Sequence, residues 1–361
     1  MQITLRGLAR MAAMSAVVAC TPVVYTGSGQ TDGTRPRAAA WPVITRSHVD
    51  LWLHGYAMLL RDTARVPVFR RAYRDTVRAV KAQRSVTTLL DANRERLQSR
   101  LSLSPGLVNG QFLPLYFESF DQMRQVIDMF LRTEGGQQGN PDRTLAQFFA
   151  VLHQSFGTEA DREWLRLFTE SVEDERRKFY QEYWTREHGG RVAQVRAVDS
   201  LWQGGYRQRF QRFLNNTQQE AGDFVLALTL GGEGRTVNYT SRQNAVASTM
   251  PDSDPLEAIY VFAHEVTSPI VVSAVTDNTT PTEQRAGVAG RHITAGAVVA
   301  GAILIRRVAP ELAAGYARYY LMQAGQSVSG DLNARLAAVF SLPDVIAQAI
   351  ERQLDVVLGG I

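Results

Sequence analysis

Residues 222–250 read GDFVLALTLGGEGRTVNYTSRQNAVASTM, and the texture of the chain changes there. Phe224–Leu230 is a short apolar run, closed by the turn-forming segment Gly231-Gly232-Glu233-Gly234. Arg235–Thr240 and Ala245–Met250 both have strand composition. This pattern predicts three strands of a small antiparallel sheet, with the Gly-rich segment as a hairpin turn rather than a phosphate cradle.

Everything around that stretch carries helical periodicity. Upstream, Ser47 heads a segment with Val49, Trp52, Leu53, Tyr56, Leu59 and Leu60 on one face. Pro67 suits a first helical position before VFRRAYRDTVRAVKAQ. Further helices are expected over 87–102, 119–134, 142–156 and 158–187, the last capped by Thr158 and stopped at Gly189-Gly190. Two more, over 191–203 and 205–217, complete a helical body spanning 46–217. The charge run Glu173–Lys178 reads as a solvated helix face, and the clusters Phe148-Phe149, Tyr180–Trp184 and Tyr316–Tyr320 read as core. Downstream, Pro255 opens a helix from Leu256 to about Ser268. Others follow over 282–308, 310–321, 331–340 and 343–357. Ile293–Ile305, rich in Ala and Gly between charged ends, reads as a buried core helix. The expected fold class is therefore mainly α with a small antiparallel β-sheet (α+β), its second part running over 222–361.

The composition, 45% hydrophobic and 20% charged over 361 residues, excludes a disordered chain and a coiled-coil rod. A formal net charge of +4 gives no electrostatic case for a nucleic-acid partner. Lys81 and Lys178 are the two lysines, so the basic character is that of arginine.

Arg6 and Arg10 precede the apolar stretch Met11 to Ala19, which ends at Cys20, the one cysteine. A charged start, a short apolar run and small residues before a cut form a secretory signal over 1–19. Val17-Val18-Ala19-Cys20 resembles the lipobox of bacterial lipoproteins. The resemblance implies a diacylglyceryl lipid on Cys20, a membrane partner reached through that anchor, and a place at the periphery of the bacterial cell envelope. Residues 20–45, rich in Gly, Thr and Pro, read as a flexible tether.

One constellation carries chemistry. His264-Glu265, on the helix that follows the strands, resembles the start of the H-E-x-x-H motif of zincin metallopeptidases. The order of helical body, small sheet, motif helix and further helices is similar to the gluzincin branch. That resemblance implies a zincin-like arrangement, with zinc as cofactor, His264 as ligand and Glu265 as catalytic general base. It also implies a third ligand on a later helix, for which Glu283, Glu311 and His292 are the candidates. Two departures make the motif degenerate: Ser268 stands where the second His belongs, and Pro269 follows it. Residue by residue, bland roles stay open: a core histidine at 264, and helix-start carboxylates at 283 and 311. Two functions follow. One is an envelope lipoprotein with a catalytically degenerate metallopeptidase-like fold, handling a peptide. The other is a non-enzymatic helical lipoprotein that binds an envelope protein.

Overall fold

The computed structural model describes residues 40–60, 65–135, 143–240 and 243–359. Residues 1–39, and with them the signal, Cys20 and most of the tether, lie outside the described residues. The architecture is mainly helical around a four-stranded sheet: β1 (Val43–Ile44), β2 (Gly222–Ala227), β3 (Arg235–Thr240) and β4 (Gln243–Thr249).

The sheet is mixed rather than antiparallel. Its order is β1-β2-β4-β3, with β1 and β4 both parallel to β2, and β3 alone antiparallel. The register pairs Phe224 with Val246 and Val237 with Ala245. The reason lies in burial. Phe224, Leu226 and Val246 face one helical layer, while Val225, Ala227, Ala245 and Ala247 face another. A strand covered on both faces reads as an unbroken apolar run, which is the signature of parallel pairing. The Gly-rich segment is therefore no hairpin turn; it carries the chain across the end of β4 to the far edge. The predicted tether also ends earlier than expected. Trp41 is fully buried with its indole N–H on the Gln219 carbonyl at 3.1 Å, and residues 43–44 form β1.

In the first layer, Ser47–Leu59 is buried on all sides from His48 to Leu59, not on one face only. The helix expected from Pro67 begins instead at Tyr73, and residues 67–70 pass alongside the β2 exit, with Phe69 bridging Leu230 antiparallel. Thr158 caps Glu159–Glu175 as expected, its hydroxyl accepting from the Asp161 N–H at 3.1 Å. A π-turn at Arg176–Tyr180 then leads directly into Gln181–Gly189.

In the second layer, Val192–Leu201 and Arg207–Asn216 are joined without a break by a π-turn at Trp202–Tyr206, so Gly204-Gly205 does not end a helix. Trp202 packs 4.5 Å from Phe262, which places this pair in the same core as the C-terminal helices. Leu256–Val266 stops at Thr267, and Ser268–Asp277 starts a new helix. Pro269 has no N–H to give to the Glu265 carbonyl, which accounts for the break. The expected 282–308 helix is divided at Gly287, with φ +71, into Pro281–Arg285 and Val288–Val308. Residues 295–298 and 300–305 are buried, so this long apolar helix is a core helix as expected.

Candidate functional site

The crossover from β2 to β3, residues 228–234, leaves the sheet ladder, so its backbone groups need partners elsewhere. Residues 67–70 supply several: Gly231 N–H donates to the Val68 carbonyl at 2.8 Å, and Gly232 N–H to that of Pro67 at 3.0 Å. Tyr319 and Tyr320 donate their hydroxyls to the Gly231 and Gly232 carbonyls, both at 3.1 Å. Carboxylates take the two ends. Asp50 accepts from Leu228 N–H at 2.7 Å, and Glu265 accepts from Gly234 N–H at 2.8 Å. Gly234 has to be glycine, since a Cβ there would sit 1.9 Å from the Ala247 carbonyl oxygen.

Glu265 and His264 belong to a helix buried from Ala258 to Val266. Side chains adjacent in a helix normally diverge. Here His264 Nδ1 nevertheless lies 2.8 Å from Glu265 Oε1, the same oxygen that holds Gly234. The imidazole stacks on the Tyr320 ring at 5.4 Å, and its Nε2 is buried without a hydrogen-bond partner among the described residues. Glu233, partly buried, completes the enclosure. Burial pushes its carboxyl up to about 7, with His264 and Arg235 pulling it down and Glu265 adding to the rise. Burial acts on Glu265 in the same direction, but His264 and the Gly234 N–H overcome it and hold that carboxyl below the usual range.

The remaining expected ligands lie elsewhere. Gly301 of Val288–Val308 packs directly on His264, so closely that a Cβ on it would sit 3.2 Å from the His264 Cα. His292 is nine residues earlier on that helix, roughly 13 Å along its axis. Glu283 is exposed and closes a capping box with Thr280. Glu311 pairs with Arg209. Among the described residues, no three His, Cys, Asp or Glu side chains converge to hold a metal ion. A His nitrogen steadied by a carboxylate does suit a metal ligand. A zinc site of the expected kind needs about three such donors, and His264, His292 and Glu283 do not supply them together.

A second buried assembly is one that sequence reasoning misses. Glu175, inside the run expected to be solvated, is fully buried. It receives Lys81 Nζ on both oxygens at 3.0 and 2.8 Å, and His54 Nε2 lies 3.1 Å from its Oε1. The other His54 nitrogen lies 3.0 Å from the Tyr73 hydroxyl. Asp91 joins through Lys81 at 2.5 Å. Close by, Asp50 also accepts from the Trp184 indole at 2.8 Å, and burial pushes its carboxyl up to about 7. The signal available is the rarity of lysine together with a helix containing both His54 and Asp50. No protein-family model, curated protein or solved structure matches this chain.

Proposed function

We propose that this chain is a lipid-anchored protein of the bacterial cell envelope, held through Cys20, whose zincin-like His-Glu helix serves structure and whose work is binding rather than peptide hydrolysis. The carrying observation is the engagement of Glu265. A general base must reach a water beside the scissile bond. Glu265 is 4% exposed, and its Oε1 is shared by Gly234 N–H and His264 Nδ1. Its carboxylate thus closes the end of the β2–β3 crossover, as Asp50 closes the beginning.

The test is metal analysis of dialysed protein together with a peptide-hydrolysis assay at added zinc. The expected result is substoichiometric zinc and no chelator-sensitive hydrolysis. Stoichiometric zinc that is lost in both His264→Ala and His292→Ala would overturn the reading and restore a metallopeptidase.

A further inference from the structure

A cleft of about 200 Å³ lies outside the carboxyl ends of β2 and β4, with Leu228 and Asp252 on its wall. Beyond the last ladder bond, Met250 N–H to the Ala227 carbonyl at 2.9 Å, the two strands lead to different layers. The β2 exit is bound by residues 67–70 of the first layer, and the β4 exit enters the Leu256–Val266 helix of the second. A crevice between diverging exits of parallel strands is where open α/β sheets take ligands.

The lining of the cleft carries one more positive than negative charge. Arg70, Arg71 and Arg191 line it against Glu187 and Asp252, with the rings of Tyr73 and Tyr183 as walls. Arg70 is fixed from behind: its Nε donates to the Leu230 carbonyl at 3.1 Å and one terminal nitrogen to Thr249 Oγ1 at 3.2 Å. Its other terminal nitrogen points at Asp252 Oδ1 at 2.7 Å. Arg191 reaches the same oxygen at 3.0 Å with one terminal nitrogen and donates to Glu187 Oε2 at 3.1 Å with the other, while its Nε is buried without a partner among the described residues. The side chain of Asp252 is 65% exposed, against 18% for Arg70 and 26% for Arg191. Two well-enclosed guanidiniums therefore converge on one oxygen of a carboxylate that stands mostly in solvent. Paired arginines are suited to oxyanions, since their planar forks match phosphate and carboxylate geometry.

We propose that this cleft binds a small soluble ligand through a phosphate or carboxylate group, which takes the place of the Asp252 carboxylate between Arg70 and Arg191. None of the residues that line the cleft belongs to the lipid anchor or to the His-Glu helix.

The experiment is calorimetric titration of the full-length protein with inorganic phosphate and, separately, with citrate, at constant ionic strength set by chloride. Saturable binding of phosphate identifies a phosphate ligand, and saturable binding of citrate a carboxylate. Asp252→Asn removes the competing charge and should tighten binding about three- to tenfold, whereas Arg191→Gln should weaken it at least tenfold. Thermal melts establish that both variants are folded. Lack of saturable binding by either probe in both the wild type and Asp252→Asn would overturn the proposal. So would binding that Arg191→Gln leaves unchanged.

Discussion

Replacing Lys81 with Met should destabilise the protein by about 3–5 kcal/mol at neutral pH, because it strands a buried carboxylate. Lys81 is 5% exposed at its side chain and Glu175 is 0%, so neither charge has water to fall back on. The ammonium gives Glu175 two hydrogen bonds, at 3.0 and 2.8 Å, and also holds Thr88 Oγ1 at 3.1 Å. Met preserves the aliphatic stem and removes the ammonium, which also stands 5.4 Å from the Phe179 ring centroid, so the loss is electrostatic rather than a cavity. Lys81→Met/Glu175→Gln removes both charges and keeps an acceptor for His54. It should recover more than half of the loss, since a buried pair is costly chiefly when one partner is left alone.

Equilibrium urea denaturation followed by circular dichroism, at pH 7 and pH 5, measures both variants. The pH dependence has a definite sign. Burial alone would raise the Glu175 carboxyl, but His54 and Lys81 overcome it and hold it below the usual carboxylate range. Its contribution to wild-type stability is therefore present above pH ~4.5 and lost as pH falls through the lower folded value. In Lys81→Met the burial effect gains ground and the carboxyl rises. The deficit should then be largest at neutral pH and shrink on acidification. A variant within about 1 kcal/mol of wild type at pH 7, or a deficit that grows toward pH 5, would refute the reasoning.

Three further outcomes can be measured. Glu233, pushed up to about 7, disfavours the folded state increasingly as pH rises from ~4.5 through that value. Glu233→Gln should accordingly gain ~1–3 kcal/mol over wild type at pH 8 and nothing at pH 4, as read by thermal melts; equal differences at both pH values would contradict this. Gly234→Ala places a methyl 1.9 Å from the Ala247 carbonyl and should cost about 3 kcal/mol or more, so a melt like that of wild type would count against the crossover geometry. Cys20→Ser should abolish lipid modification and membrane retention, checked by mass spectrometry of the mature N-terminus and by fractionation; retention of the variant would sink the anchor.

What the sequence discloses and what it hides have physical causes. Amphipathic and capped helices such as Phe120–Arg132 and Glu159–Glu175 are legible because periodicity and caps are local. The unbroken apolar run of β2 is legible, but its partners β1 and β4 are not, because the Gly-rich segment before β3 resembles a hairpin turn and points to an adjacent antiparallel pair. Glu175 misleads because its charge argues for solvent although it continues the buried positions Trp164, Phe168 and Val172 at helical spacing, and the partners that neutralise it, Lys81 and His54, are distant in sequence. His264-Glu265 is visible as a pair, but Glu233 is not, being some thirty residues in sequence from the carboxylate that faces it. What joins them is the crossover. Its N–H groups at Leu228 and Gly234 leave the ladder on opposite faces of the sheet, and each is met by a buried carboxylate, Asp50 from the first layer and Glu265 from the second. The residue that looks catalytic in sequence and the one that attracts no attention there thus perform one task. Asp50 holds the crossover where it leaves β2, beside the arginine-lined cleft, and Glu265 holds it where it enters β3, so both carboxylates serve the backbone and the cleft is the place we propose for a ligand.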